Sequence, residues 1–190
     1  WTMCASIDGT GPIGEFIRTG LKWDEWDRNF REGVALPGGH DKMIMDLTIT
    51  GPGMFDLKNF LDYALELDVK IETKRMFAFH PDIVLSPMAW PRHILDEIVH
   101  DVLDYARPIV TDKQQTLIRE LEGMLTAPTF QEQFPDTANE QFFNGRAYQQ
   151  IIHNIRKDGE NGRLTLGDIY RQHPELWLWF SRPDPKHNQR

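Results

Sequence analysis

The chain has a single cysteine, Cys4, and its apolar residues never gather into a long run. One thiol forms no internal disulfide, cannot by itself ligate an all-cysteine metal or iron–sulfur site, and suits a reducing, cytoplasmic compartment. No apolar stretch approaches the ~18 residues that a bilayer-spanning helix needs, so a membrane span within these residues is excluded. Positive charge is scarce as well: 21 Lys and Arg stand against 29 Asp and Glu, a net charge of -8. Such a surface repels a phosphate backbone on average, and no local basic patch offsets it. Nucleic acid is therefore excluded as a partner, and a small-molecule or peptide ligand is expected. Low-complexity tracts and internal sequence repeats are also lacking. The first residue is Trp1, not an initiator methionine, and the expectation is a chain that begins inside a longer protein, with what should stand before its first strand missing.

What is present is globular. Six Trp and eleven Phe among 40% hydrophobic residues, in 190 residues, suffice for one core or one core with an appendage. Residues 3–8 read as a strand, and 22–36 as a helix on which Trp23, Trp26, Phe30 and Val34 recur at helical spacing. Pro37-Gly38-Gly39 ends that helix. Residues 43–50 form a second expected strand, 54–67 a second helix and 71–79 a third strand. Pro81, Pro87 and Pro91 punctuate a connection to a helix reaching Arg107, whose buried stripe is Ile94, Leu95, Ile98, Val99 and Val102. Strands that alternate with helices imply a parallel sheet with right-handed crossovers. After Pro108 the strands stop. Helical patterns cover 114–124, part of 138–157, and 166–180 with the aromatic cluster Trp177, Trp179 and Phe180. Seven of the eight excess negative charges precede Pro108, which marks a boundary between residues 1–107 and a helical region, 108–190.

Several candidate chemistries compete. Gly9-Thr-Gly11-Pro-Ile-Gly14 matches G-x-G-x-x-G after a strand, but its helix is short and the next strand ends in Thr48-Ile49-Thr50 without an acidic residue, so a nicotinamide site is disfavoured. Asp46 lies inside that strand as an edge or barrel-interior carboxylate. His93, Glu97 and His100 share a helix face with Asp96, Asp101 and Asp104 nearby, yet the apolar stripe opposite makes this the solvated side, and no metal site is assigned. His40-Asp41 and His80-Pro81-Asp82 read as turn formers. Ser6 lacks a nucleophile-elbow setting. The remaining candidates stand at the carboxyl ends of the strands, where parallel sheets and β/α barrels handle ligands: Ser6-Ile7-Asp8, Thr48-Ile49-Thr50 and Phe79-His80. Arg18, in the following loop, can clamp a carboxylate there. Turn and helix capping is the competing role for Ser6, Asp8 and the threonines.

Ser6-Ile7-Asp8-Gly9, then Glu15-x-x-Arg18-x-Gly20, then the helix carrying Trp23-Asp24, Trp26-Asp27 and Asn29, resembles the fourth strand and following segment of radical S-adenosylmethionine enzymes of the twitch- and SPASM-related branch. The likeness continues through Thr48 and Thr50 to Phe79-His80-Pro81 and Leu85-Ser86-Pro87, about the first half of the chain. The resemblance implies an α/β fold that is the second half of a partial (β/α)6, TIM-like barrel, with a mostly helical carboxyl-terminal extension. It implies that Ser6 and Arg18 contact the aminocarboxylate of S-adenosylmethionine, that Thr48 and Thr50 lie near its ribose or adenine with Leu47 or Ile49 against the ring, and that Asp8 faces the substrate or cofactor pocket. The CxxxCxxC loop for the [4Fe-4S] cluster is absent, so cluster and cofactor belong to the full-length parent and neither is firmly held by these residues. The paucity of cysteine excludes auxiliary clusters. A half-barrel is expected to leave apolar, barrel-facing side chains and its first strand uncovered, so the isolated chain should self-associate. The extension should cover the barrel mouth or recognise a substrate. The rival expectation is a non-catalytic interaction module in which Trp177 to Phe180 docks a partner.

Overall fold

The computed structural model describes residues 1–77, 81–157 and 164–185. Its centre is a three-stranded sheet of β1 (Met3–Ile7), β2 (Met43–Ile49) and β3 (Lys70–Arg75), ordered β1-β2-β3 and parallel throughout. Between β1 and β2 lie α1 (Gly11–Ile17), α2 (Trp23–Ala35) and the single turn α3 (Gly39–Lys42). A 3-10 turn at Pro52–Asp56 leads into α4 (Leu57–Glu66) before β3, and two more, at Ile83–Leu85 and Pro87–Ala89, precede α5 (Arg92–Ala106). The expected second helix thus splits, because Pro52 and the two flanking glycines set up a tighter turn before regular helix begins. β3 ends at Arg75, short of the expected Phe79, although the Met76 N–H still donates to the Ile49 carbonyl at 2.9 Å. The expected strand end at Phe79-His80 lies outside the described residues.

Alternation in β2 divides the sheet into two faces. Met43, Met45, Leu47 and Ile49 are buried with Ile7 and Ile71 beneath the helices. On the opposite face Ser6, Asp46, Thr48, Glu72 and Lys74 are half-buried or exposed. This face was expected to be apolar; it is instead a polar network. The Lys74 ammonium stands 2.8 Å from both Asp46 oxygens, the Ser6 hydroxyl donates to Asp46 at 3.0 Å, and the lysine bond is the main cause that lowers the Asp46 pKa. Period-2 patterning identifies the two faces but cannot tell a polar interior from solvent.

The rest of the chain is helical: α6 (Gln115–Thr126), α7 (Phe130–Gln133), α8 (Ala138–Lys157), α9 (Leu166–Tyr170) and α10 (Pro174–Ser181). Buried side chains from these helices, among them Leu117, Leu121, Phe142, Ile169, Tyr170 and Phe180, join one cluster with those of the sheet. The outer edge of β3 is sealed by the start of α6. Gln114, fully buried, donates to the Val69 carbonyl at 2.9 Å while its own oxygen accepts from the Thr111 N–H and hydroxyl, and the Thr116 hydroxyl donates to the Ile71 carbonyl. Arg75 pairs with Glu120 at 3.1 Å further along. Arg92 of α5 then closes the far end of α6, donating to the Met124 and Ala127 carbonyls and pairing with Glu132 at 2.8 Å.

Tyr170 is the deepest tie between the two parts of the chain. It has no exposed surface, and its hydroxyl donates to the Val84 carbonyl at 2.8 Å. The same hydroxyl lies so close to Gly51 that any β-carbon there would collide with it. The Trp177–Phe180 cluster turns inward: Phe180 is buried, and Trp179 packs on Phe142 with ring centroids 4.4 Å apart. Leu178, 69% exposed, is the large apolar side chain of α10 left facing solvent. Among the described residues no helix is long and apolar enough to cross a membrane.

Candidate functional site

A cavity of about 410 Å³ opens at the carboxyl end of the sheet. Asp8 reaches it from the end of β1, Thr48 and Thr50 from the end of β2, and Met76 from the end of β3. Phe16, Ile17 and Arg18 come from the end of α1, Asp82 and Leu85 from the β3–α5 connection, and Tyr148, Gln149 and Ile152 from α8. Parallel strands deliver successive carboxyl ends to one edge, so this convergence follows from the topology.

The loop that carries Arg18 is held by its glycines and by a carboxylate. Gly11 has φ +47°, and a β-carbon on Gly14 would collide with the Gly9 carbonyl, so the G-x-G-x-x-G spacing serves close packing of α1 on the β1 turn. Asp56, buried, accepts from the Thr10 backbone N–H, from the Thr10 hydroxyl at 2.8 Å and from Asn59 at 3.0 Å. Burial pushes its pKa up, and the Thr10 and Asn59 bonds oppose that shift. Thus fixed, α1 ends with Arg18 aimed at Asp8: Nε donates to Oδ2 at 2.6 Å and Nη2 faces Oδ1 at 3.4 Å. The Asp8 side chain is 10% exposed, whereas the Arg18 side chain is 39% exposed, so the guanidinium keeps donors for a ligand.

Four of the five residues singled out from the sequence, Asp8, Arg18, Thr48 and Thr50, therefore line one cavity. Ser6 does not line it; its hydroxyl is bound to Asp46 on the polar face of the sheet. Thr50 also has a structural task, since its hydroxyl oxygen accepts the Gly53 N–H at 3.0 Å and holds the turn after β2. Asp8 caps no helix in this arrangement; its partner is Arg18. His93, Glu97 and His100 do not converge: His93 faces Glu175 at 3.5 Å, His173 faces Glu97 at 3.5 Å, and the His100 ring contacts the Asp96 carbonyl. Among the described residues no group of three or more His, Cys, Asp or Glu side chains is placed to hold a metal ion, and Cys4 is exposed.

Sequence reasoning missed Asp56, Asp82, Tyr148 and Gln149. Asp56 carried a usable signal, an acidic residue just before the helix at 57–66. The others carried none, because Asp82 looked like a turn former and the α8 residues meet the cavity only through tertiary packing. Fold and site together define an α/β protein with a cavity at the carboxyl end of a parallel sheet. Compared with protein-family models, curated proteins and solved structures, the chain matches none.

Proposed function

We propose that the cavity binds S-adenosylmethionine and that the chain is the second half of a radical S-adenosylmethionine barrel, acting on a small-molecule or peptide substrate. The observation that carries this reading is the Asp8–Arg18 pair on a cavity wall shared with Thr48 and Thr50. An aminocarboxylate carries a positive and a negative group on one carbon, and an aspartate–arginine pair offers the opposite charges side by side. The hydroxyls of Thr48 and Thr50 suit a ribose, and Phe16, Ile17, Leu85 and Ile152 supply apolar wall for a purine. When bound beside a reduced cluster, S-adenosylmethionine supplies radical chemistry. This chain's residues do not fit the cluster, because one exposed thiol cannot replace the several thiolates it needs. The part of the chain is to bind and orient: Arg18 fixes a carboxylate, Asp8 an ammonium, and α8 restricts entry of water from the far side.

The test is calorimetric titration of the 190-residue chain with S-adenosylmethionine. Weak saturable binding is expected, displaced by S-adenosylhomocysteine and reduced ~10–100-fold by Arg18→Ala, which removes charge-assisted bonds of ~1.5–3 kcal/mol. Thr48→Val should weaken it less. Absence of saturation, or an Arg18→Ala chain that binds equally well, would overturn the reading.

A further inference from the structure

The second acid of the cavity differs from the first. Asp82 stands immediately before the 3-10 turn Ile83–Leu85, where an aspartate usually folds back to cap backbone N–H groups, yet its side chain makes no such bond. Instead it crosses to α8, where Oδ1 accepts from Gln149 Nε2 at 2.9 Å. Among the described residues Asp8 is neutralised by Arg18, while the partner of Asp82 is a neutral amide. Among the described residues the cavity lining therefore holds two carboxylates against one guanidinium, an excess of one negative charge. The amide satisfies one lone pair of Asp82 and compensates none of its charge, which leaves the second carboxylate oxygen and the Gln149 oxygen as acceptors. Tyr148, on the same wall, adds an aromatic ring, whose face attracts cations.

We propose that Asp82 and Gln149 form a subsite for a cationic nitrogen of the substrate, an ammonium or guanidinium carried by a basic amino acid or peptide. The proposal rests on the cavity being the ligand site described above, but not on the identity of the cofactor. The distinction between the two is built into the probes. Amide chemical shifts of the 190-residue chain are followed during titration with Nα-acetyl-lysine methyl ester and with its neutral counterpart, Nα-acetyl-norleucine methyl ester. The lysine ester should bind ~10–100-fold more tightly, the worth of a hydrogen bond between charged groups. Asp82→Asn, which keeps the size of the side chain, should erase that margin. Gln149→Lys, which supplies an internal ammonium, should erase it as well. Binding of neither ester, equal binding of both, or a margin that survives in Asp82→Asn would overturn the subsite. A lysine preference that persists in a chain with no affinity for S-adenosylmethionine would uphold the subsite and overturn the cofactor reading instead.

Discussion

The two edges of the sheet have been treated in opposite ways. On the β3 side, side chains at the start of α6 take up two successive outward carbonyls, Gln114 on Val69 and Thr116 on Ile71, and lay that helix along the edge where another strand would pair. On the β1 side, Met3 is 55% exposed, Trp1 is 60% exposed, and among the described residues no strand pairs with the outer edge. A parallel sheet with one sealed edge can grow only from the other. The asymmetry is local chemistry rather than strand length, since β1 and β3 differ by one residue.

The largest effect should come from unseating the seal. Leu117→Ala and Leu121→Ala, both at fully buried positions, should each cost ~2–5 kcal/mol in urea unfolding. They should also speed amide exchange at Thr73 and Arg75 more than in β1. If exchange in β3 is unaffected, α6 does not protect that edge. Next comes Gln114→Ala, which takes their partner from the Val69 carbonyl and the Thr111 backbone N–H and should cost ~1–3 kcal/mol. An unchanged urea midpoint would remove Gln114 from the seal.

A third expectation concerns acid and the turn beside the open edge. Burial holds the folded-state pKa of Asp56 above its unfolded value of 3.8. Between those two values the folded chain binds more protons than the unfolded one, so the contribution of this group falls as pH rises through the window and stays low above it. The measurement is the difference in unfolding free energy between the native chain and Asp56→Asn across that window. It should grow as the pH is lowered from neutrality, and a flat difference would contradict the assignment. The smallest effect belongs to the bare edge itself. Met3→Lys should change stability by less than about 0.5 kcal/mol, as surface substitutions do, yet reduce self-association in sedimentation experiments. A chain that is monomeric before the substitution would show that the open edge is harmless.

How much of this was legible in the sequence follows the range of the interactions. The β1 and β2 strands and the placing of Asp8, Thr48 and Thr50 at one edge came from period-2 runs and from strand order, both local or topological. Arg18 was legible because only nine residues, a turn and the short α1, separate it from Asp8. The polar face was not, because Lys74 and Asp46 meet across β2 and β3 and alternation carries no information about which side chain finds which. The sealed edge was equally hidden: Gln114 and Thr116 bond to backbone 45 residues away, and backbone has no sequence signature. Asp82 illustrates the sharper case, a residue whose local propensity, capping, is declined in favour of a partner 67 residues on.

The bond from Tyr170 to Val84 has a meaning for synthesis. It joins positions 86 residues apart, so the ribosome exposes the Gly51 turn and the Val84 carbonyl well before it makes the hydroxyl that packs against both. At ~5–20 residues per second that interval is roughly 4–17 s, far longer than a helix or a loop takes to form. The nascent sheet therefore waits for a side chain made 86 residues after the carbonyl it binds, and a polypeptide cut short before residue 170 forfeits the bond that ties the later helices to the Val84 turn.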